Sequence, residues 1–591
     1  MSSLRPELHG TFGMVASTHW LASAAGMATL EQGGNAFDAA VAAGFVLQVV
    51  EPHMNGPGGE VPILAHSAER GRVVVINGQG PAPAGATIEE FEALGLPLVP
   101  GTGLLPACVP GAFDAWMIAL RDFGTLHLRD VLRYAVGYAH SGWPVTSAVS
   151  ETIGQVEDLF RQEWTDSAAV YLPGGRVPAP GTLLENPALA ATYARIVRRA
   201  ERRTADRRDQ IDAARALFYK GFVAQRIHDH CTGAEVLDST GRRHRGLLRY
   251  VDLDGFEARV EGPETLDFKG LTVCKTGPWG QGPVLLQQLA LLDGFDLEAM
   301  GAGSAELVHT VMECSKLAFA DREAWYGDPA FGDVPLDLLL SAPYADERRR
   351  LVDERASFEL RPGDARGRSA VLPPAVTPEI TALSGPGVGE PTLAVEPAGD
   401  TCHLDVADRF GNLVSATPSG GWLQSSPVIG DLGFPLGTRG QMFWLVPELP
   451  NSLAPGKRPR TTLSPSLVLR GGEPYLSFGT PGGDQQDQWT LNFFINHVVF
   501  GMDLQEAIDA PQWHTEHFPS SFYPRTSRPG TLFLERRHDP SVVDELRERG
   551  HEIHVEPDWS LGRVTAVARA ADGTLRAAAD PRGGHAYAIG R

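Results

Sequence analysis

Thr401 opens a pattern in which a hydroxyl group could serve as a nucleophile. After Thr401, apolar and polar residues alternate, a turn follows at Phe410-Gly411-Asn412, and a returning run ends at Ser419, which is typical of a β-hairpin. A hydroxyl is a weak nucleophile at neutral pH unless a base takes its proton. Since a β-branched residue also begins strands for purely structural reasons, the rest of the sequence has to separate the two interpretations.

Further residues after Thr401 could take part in the same chemistry. Ser419 supplies a second hydroxyl eighteen residues later, Thr461 and Thr462 follow a basic segment, and residues 479–483 form a glycine-rich loop. Neighbouring glycines let backbone N–H groups approach a developing oxyanion closely, because no Cβ intervenes. A glycine pair alone is more often a turn, so the prediction depends on all these groups occurring in order.

A large structure of mixed helices and strands must position these residues. Helical patterns cover 20–32, 38–50, 304–322, 485–500 and 540–549, and strand patterns cover 63–64, 73–76, 466–470, 475–478 and 564–569. Residues 353–400 are rich in Pro, Gly, Ser and Glu and have no sustained period, which predicts a flexible linker. The predicted organisation is a large region (1–352), this linker (353–400) ahead of Thr401, and a small region (401–591).

Composition excludes several classes of function. The 591 residues are 43% apolar, which is enough for a substantial core, and the formal net charge of -21 argues against nucleic-acid binding. No apolar run is long enough to span a membrane, and the first residues lack a secretory layout, so we expect a cytoplasmic protein without membrane contact. Five scattered cysteines have no metal-binding spacing, so we expect free thiols and no metal.

The hairpin, Ser419, the segment 457–465 and the glycine-rich loop together resemble the γ-glutamyltranspeptidase superfamily in order and spacing. In the first half of the chain, residues 34–40, 56–59 and 316–322 agree as well. The resemblance spans nearly the whole chain. It implies an α+β fold, the four-layer αββα sandwich of N-terminal-nucleophile hydrolases, and no cofactor.

The same resemblance implies a self-processing enzyme. The chain would cut itself between Asp400 and Thr401, and the new N-terminal threonine would supply both the nucleophile and, through its α-amine, the base. An α-amine has a pKa of about 7.7–8.0, so part of it is unprotonated near neutral pH. The two fragments would stay associated, and a homodimer of the pair is left open.

Roles for the other motif residues also come from the resemblance. Ser419 would hydrogen-bond the nucleophile, Thr461 and Thr462 would contact the substrate, and Gly482 and Gly483 would form the oxyanion hole.

The chain departs from the family where a glutamyl head group would bind. Gln79 stands at the position of an arginine that holds the α-carboxylate, while Arg439 and Met442 replace a glutamine and an aspartate. Arg460 adds a charge where the family is usually apolar. These changes predict a pocket for a small anionic substrate, because guanidinium binds carboxylate through a two-pronged fork. The other interpretation of Arg439 is a structural arginine.

The leading hypothesis is therefore a threonine-nucleophile amidohydrolase or acyltransferase acting on a small carboxylate-bearing amide, closer to oxamate amidohydrolase than to enzymes of glutathione. Three alternatives remain open. They are a conventional γ-glutamyltransferase or glutathione hydrolase, a biosynthetic relative that cleaves a carbon–carbon bond, and an unprocessed binding protein without catalysis.

Overall fold

Two seven-stranded sheets and the helices around them make up the protein, a computed structural model in which residues 4–376 and 401–591 are described. The strands are β1 (Leu8–Gly10), β2 (Gly13–Ser17), β3 (Val61–Ser67), β4 (Arg72–Gly78), β5 (Trp143–Pro144), β6 (Leu183–Leu184), β7 (Val236–Leu237), β8 (Arg243–His244), β9 (Arg259–Glu261), β10 (Glu264–Phe268), β11 (Leu271–Lys275), β12 (Leu404–Asp408), β13 (Leu413–Ala416), β14 (Ser466–Arg470), β15 (Glu473–Gly479), β16 (Trp513–His514), β17 (Thr531–Glu535), β18 (Glu552–Glu556), β19 (Thr565–Arg569), β20 (Leu575–Ala579) and β21 (Tyr587–Gly590).

Helices occur on both sides of Thr401 in the sequence. They are α1 (Trp20–Glu31), α2 (Ala36–Val50), α3 (Ile88–Ala93), α4 (Ala112–Phe123), α5 (Leu128–Ser141), α6 (Ser147–Gln155), α7 (Glu157–Gln162), α8 (Thr165–Tyr171), α9 (Pro187–Arg203), α10 (Arg207–Tyr219), α11 (Phe222–Gly233), α12 (Tyr250–Asp254), α13 (Pro283–Leu292), α14 (Leu297–Met300), α15 (Ala305–Trp325), α16 (Leu336–Leu339), α17 (Ala342–Arg349), α18 (Gln486–Val498), α19 (Leu504–Asp509) and α20 (Pro540–Glu548). Short 3-10 helices cover Pro173–Gly175, Arg439–Met442 and Gly483–Gln485.

Each large sheet combines strands from before and after Thr401. One sheet has the order β1-β20-β19-β15-β14-β11-β10 and the other β21-β2-β12-β13-β3-β4-β9. Neighbouring strands are antiparallel throughout, so β12 pairs with β2 on one side and β13 pairs with β3 on the other. A cut ahead of Thr401 would therefore leave both sheets built from two fragments.

Apolar side chains form three main clusters around these sheets. One joins the sheets to each other, with Met14 and Leu64 from one sheet and Leu467 and Val567 from the other. A second lies between α1, α2 and α4 and the β12-containing sheet, and a third lies between α13, α15 and α18 and the β15-containing sheet. Strand β3 is buried along its whole length, because side chains on both of its faces are covered.

The turn after β12 fixes the hairpin against α2. Asp408 accepts hydrogen bonds from the N–H groups of Phe410 and Asn412, at 2.9 and 3.0 Å, and from the N–H of Ala36 at 2.8 Å. The carboxylate thus joins the first turn of α2 to the hairpin, where a negative charge is favoured by the helix dipole. Gly411 completes the turn with a φ of 93°, which glycine adopts without strain.

Most predicted elements are present. The helices at 20–32, 38–50, 304–322, 485–500 and 540–549 correspond to α1, α2, α15, α18 and α20, whereas the remaining helices, α3 to α14, α16, α17 and α19, were not predicted. Thr401 precedes β12 by three residues and pairs with Ser419 through an isolated bridge. The five cysteines are free, as predicted, and all of them are buried. Within the described ranges no helix has the length and apolar character to cross a membrane.

The described end of the predicted linker packs against α15. The N–H of Ser357 donates to Glu313 at 3.2 Å, and the N–H of Gly363 donates to Asp321 at 2.7 Å. Residues 353–376 therefore contact the core without forming a helix or strand. Asp400 and the rest of the predicted linker lie outside the described residues.

Candidate active site

Thr401 and Ser419 lie side by side at the open end of the hairpin. Thr401 Oγ1 is 3.2 Å from Ser419 Oγ, and both residues are buried. Thr401 and Ser419 form an isolated antiparallel β-bridge, and the N–H of the next residue, Cys402, donates to the Pro418 carbonyl at 2.9 Å. The backbone thus holds the two hydroxyl groups within hydrogen-bonding distance.

Arg439 contacts Ser419 from the other side. Its Nη2 donates to Ser419 Oγ at 2.7 Å, and its Nε donates to Glu60 in a buried ion pair. The rings of Trp422 and Phe522 lie 5.1 and 5.7 Å from the guanidinium carbon. Glu60 balances the charge of Arg439, so the inversion of charge expected at this position does not follow from Arg439 alone.

Glycines allow the chain to close around Ser419. A Cβ on Gly59 would lie 2.1 Å from the Ser419 carbonyl oxygen, and a Cβ on Gly58 would lie 2.1 Å from the Pro435 carbonyl oxygen. Gly420 has a φ of 75°, in the left-handed region that favours glycine. The glycine motif at 56–59 therefore brings the backbone that carries Glu60 against the backbone that carries Ser419.

The second glycine-rich loop follows β15 and packs closely against Trp489. Gly482 has a φ of 121°, and a Cβ there would lie 2.2 Å from the Trp489 ring. In the described part of the chain, the N–H groups of Gly482 and Gly483 donate to no acceptor. Pro481 of the same loop lines a cavity with Thr401. This arrangement suits an oxyanion that forms next to Thr401.

A buried polar network supports this loop from α15. Arg322 donates to Asp484, to Glu323 and, at 2.8 Å, to the side-chain oxygen of Gln281. Gln281 donates in turn to the Gly483 carbonyl at 3.3 Å, and its N–H donates to the Thr461 carbonyl at 2.8 Å. The motif at 316–322 thus positions both the glycine loop and the segment that carries Thr461.

Other predicted site residues are buried and differ in their partners. Arg460 donates at 2.6 Å to Glu323, the carboxylate that also accepts from Arg322, so Arg460 is part of a buried ion-pair network. The Gln79 side chain donates to the Gly80 carbonyl at 3.3 Å. The Thr462 hydroxyl has no hydrogen-bond partner among the described residues, and Met442 is fully buried.

A small cavity beside Thr401 contains residues that the sequence did not single out. It is lined by Thr18, Glu51, Met54, Thr401, Pro481, Arg563, Arg582, Gly583, His585 and Ala586. About 20 Å³ is open to the centre of a water molecule, which is enough for one water or a group of similar size. Arg563 and His585 belong to the last thirty residues, and no sequence motif in that segment indicated a functional site.

Burial shifts the pKa of ionisable groups near this cavity. It raises the pKa of Glu51, whose carboxylate accepts from Thr18 at 2.7 Å and from the Cys402 thiol at 3.0 Å. It also lowers the pKa of His53 to about 3 and lowers the pKa of His585. The histidines are therefore neutral at pH 7, because desolvation disfavours their charged forms.

One cluster in the described residues could supply metal ligands, away from Thr401. It consists of His309, Glu313 and His551. His309 Nδ1 lies 2.9 Å from His551 Nε2, and Glu313 accepts from Lys316 at 2.7 Å and from Arg361 at 3.2 Å. Since two cations already occupy the carboxylate, we assign no metal to this cluster.

Comparison with known proteins identifies the family. The model of the gamma-glutamyltranspeptidase family matches residues 22–590, so the chain belongs to this family, whose members are hydrolases and acyltransferases of the N-terminal-nucleophile type. The chain is 33% identical to the glutathione hydrolase-like YwrD proenzyme of Bacillus subtilis (strain 168), over 97% of the chain and 98% of that protein. It is 31% identical to the oxamate amidohydrolase proenzyme of Klebsiella pneumoniae subsp. pneumoniae, over 98% of each.

Solved structures agree over the whole chain. The structure of LmbA2991HD superposes with a TM-score of 0.94 at 56% identity and full coverage of both chains. Cephalosporin acylase from Bacillus halodurans gives a TM-score of 0.83 at 27% identity, covering 100% of this chain and 97% of that one. The predicted mixed α and β fold is thus shared with solved members of the superfamily.

Proposed function

We propose that the protein is a self-processing amidohydrolase or acyltransferase with Thr401 as its nucleophile. The observation that carries the proposal is the chain of contacts from Thr401 Oγ1 to Ser419 Oγ, at 3.2 Å, and from Ser419 Oγ to Arg439 Nη2, at 2.7 Å. Arg439 donates to the Ser419 oxygen, and we assign Ser419 as the donor in its hydrogen bond with Thr401 Oγ1. The Ser419 hydroxyl can stabilise negative charge on Thr401 Oγ1 during attack.

Processing and turnover then use the same atoms. In processing, Thr401 Oγ1 attacks the carbonyl carbon of Asp400, the peptide C–N bond breaks, and water hydrolyses the resulting ester. The α-amine freed in this way takes the proton of the Thr401 hydroxyl during turnover, while Oγ1 attacks the acyl carbon of the substrate. The N–H groups of Gly482 and Gly483 would receive the oxyanion, and water or an acceptor amine would release the acyl group.

The resemblance to N-terminal-nucleophile hydrolases implies a four-layer αββα sandwich, which we include in the proposal. The three apolar clusters support it, since one joins the two sheets and the other two join each sheet to helices. Fragments 1–400 and 401–591 would stay together after the cut, because strands of one fragment pair with strands of the other in both sheets.

For the substrate, we propose a small carboxylate-bearing amide in preference to glutathione. A γ-glutamyl head group needs a cation for its α-carboxylate and acceptors for its α-ammonium. Gln79 is uncharged, Arg439 is engaged by Glu60, and Met442 offers no acidic acceptor. The similarity to an oxamate amidohydrolase supports the same choice.

A second candidate is an amide with an apolar acyl group. Trp422, Met442 and Phe522 form an apolar cluster, and the guanidinium of Arg439 lies against its two aromatic rings. Such surroundings favour an uncharged acyl chain over a charged one. The structural similarity to a cephalosporin acylase agrees with this candidate.

Two measurements test the proposal. A denaturing gel of the purified protein should show two bands, and Thr401→Ala should show one uncut band and no activity. The processed protein is then assayed against γ-glutamyl amides, monoamides of short dicarboxylic acids, and apolar acyl amides. A single full-length band with full activity would overturn the nucleophile, and efficient glutathione hydrolysis would overturn the substrate class.

A further inference from the structure

Arg525 is a buried arginine whose charge is not met by a bonded carboxylate. The residue is 2% exposed, and its Nη2 donates to the Gln441 carbonyl at 3.2 Å. Its Nε and Nη1 have no hydrogen-bond partner within residues 4–376 and 401–591. The guanidinium lies over the Trp444 ring, 4.1 Å from its centroid, which orients the group and offsets part of the cost of burial. Two nitrogen atoms of a buried cation are thus open to an acceptor.

Two carboxylates act on Arg525 through space, but other arginines engage both of them. Glu323 accepts from Arg322 at 2.8 Å and from Arg460 at 2.6 Å, and Asp484 accepts from Arg322. The two acids attract Arg525, whereas Arg322 and Arg460 repel it. Three arginines therefore face two carboxylates, which leaves one positive charge in excess. Burial lowers the pKa of Arg525 to about 9, so the two acids do not make up for its lost hydration.

A single turn connects Arg525 with the neighbour of the nucleophile. The turn is Arg439–Met442, and the carbonyl of its Gln441 accepts the hydrogen bond from Arg525. At the start of the same turn, Arg439 donates to Ser419. Arg525 and Ser419 are thus bonded to two ends of one short segment.

The segment that carries Arg525 also contributes to the apolar cluster beside Arg439. Phe522 packs in this cluster with Trp422 and Met442. The N–H of Arg525 donates to the Phe522 carbonyl at 2.7 Å, which fixes the backbone of Arg525 next to the cluster. The surroundings of Ser419 therefore combine an apolar wall with a buried cation.

We propose that Arg525 binds the carboxylate of the substrate and selects amides whose acyl group ends in an anion. This inference rests on the proposed function and deepens it, since it gives the carboxylate a partner other than Arg439, which Glu60 engages. The acyl carbonyl would lie at Thr401, the chain against the apolar cluster, and the carboxylate at Arg525. Each open N–H group can donate a charge-assisted hydrogen bond to a carboxylate oxygen.

The first test compares substrates with and without the carboxylate. A series of dicarboxylic monoamides identifies the chain length that the parent protein turns over fastest. On that monoamide, Arg525→Met should lower kcat/KM by about ten- to a hundredfold, the loss expected for a charge-assisted hydrogen bond. The corresponding diamide, which has no carboxylate, should change by less than about threefold. Arg528→Gln, in the same segment but with an exposed side chain, is the control and should match the parent protein.

Thermal stability separates a binding role from a structural one. In the part of the chain that the structure describes, Glu323 Oε2 has no hydrogen-bond partner, so the competing role of Arg525 is to neutralise Glu323. If Arg525 serves binding, Arg525→Met removes an excess buried charge, and the melting temperature should stay the same or rise. Arg460→Met breaks a bonded pair with Glu323 and should lower it. An equal fall for Arg525→Met, with equal losses on monoamide and diamide, would overturn the proposal.

A conservative variant covers the case in which Arg525→Met does not fold or does not cleave itself. Arg525→Lys keeps the positive charge with a different geometry, so its loss of kcat/KM should fall on the monoamide alone. Equal losses on monoamide and diamide in this variant would make Arg525 structural.

A binding measurement separates this inference from the proposed function. Succinate has no amide bond to cleave, and calorimetric titration of the processed protein should show binding that Arg525→Met weakens by at least about tenfold. If the parent protein hydrolyses no monoamide yet binds succinate through Arg525, the anion site stands and the proposed substrate falls. Succinate that does not bind the parent protein, or that binds Arg525→Met equally well, would overturn the anion site.

Discussion

Ser419, Arg439 and Glu60 form a chain of hydrogen bonds that leads away from Thr401. Ser419 accepts from Arg439, and Arg439 is held by Glu60. These contacts indicate that Arg439 positions Ser419, because its N–H groups donate to Ser419 and Glu60 and not into an open pocket. Its effect on activity should therefore be similar for charged and uncharged substrates.

Breaking the Arg439–Glu60 pair should destabilise the fold. Arg439→Met leaves the Glu60 carboxylate buried without its guanidinium, and removing one partner of a buried pair costs about 3–5 kcal/mol. The double variant Arg439→Met/Glu60→Gln should recover much of this loss, since no charge is left without its partner. Denaturant unfolding of the processed protein measures both. The single variant Glu60→Gln is measured as well. A double variant whose loss of stability equals the sum of the losses of the two single variants would contradict the pairing.

The pKa of the Thr401 α-amine should determine how kcat/KM rises with pH on the acidic side of the profile. The base works only when unprotonated, so kcat/KM should rise with pH and level off above the amine pKa, about 7.7–8.0 in an unperturbed group. Steady-state rates of the processed protein from pH 5 to 9 measure this limb. A flat profile, with the chemical step shown to be rate-limiting, would exclude the amine as the base.

At the scale of elements, loops made of small residues let separate segments meet at Thr401. The loop 56–59 lies against Ser419, and the loop 479–483 lies against Trp489 and the Thr401 cavity. Because these loops lie so close to their neighbours, a substitution that adds even one methyl group should force the backbone to move.

Gly59→Ala should abolish self-cleavage. Its Cβ would lie 2.1 Å from the Ser419 carbonyl oxygen, so one of the two backbones has to move and Ser419 loses its position beside Thr401. The control is Gly137→Ala in α5, where no atom lies within 4 Å of the added group. A gel of freshly purified protein reports the outcome, and normal cleavage of Gly59→Ala would show that this contact does not position Ser419.

The sequence predicted the hairpin, the main helices and strands, and the proximity of Thr401 to Ser419. These follow from local periodicity and from a turn built on Gly411. It could not reveal that Glu60 engages Arg439, or that Arg563 reaches the cavity from far along the chain. Such contacts depend on tertiary packing across both sheets, and neither residue belongs to a periodic pattern that indicates its partner.

At the scale of the whole molecule, burial keeps many histidines neutral. Desolvation lowers the pKa of His53 to about 3, of His517 and His538 to about 4, and of His551 to about 2. All four groups bind protons more readily in the unfolded chain than in the folded one, so together they affect the stability of the protein.

These histidines should therefore make the protein less stable as the pH falls below about 6.5. Below a pKa of about 6.5 the unfolded chain binds protons at these histidines and the folded chain does not, so stability present above that pH is lost as the pH falls. Each histidine contributes up to about 1.4 kcal/mol per pH unit. Denaturant unfolding at pH 7.5 and 5.5 should show a clear loss at the lower pH, and His551→Asn should make it smaller. Stability that stays constant between these pH values would mean that the four rings are protonated in the folded state.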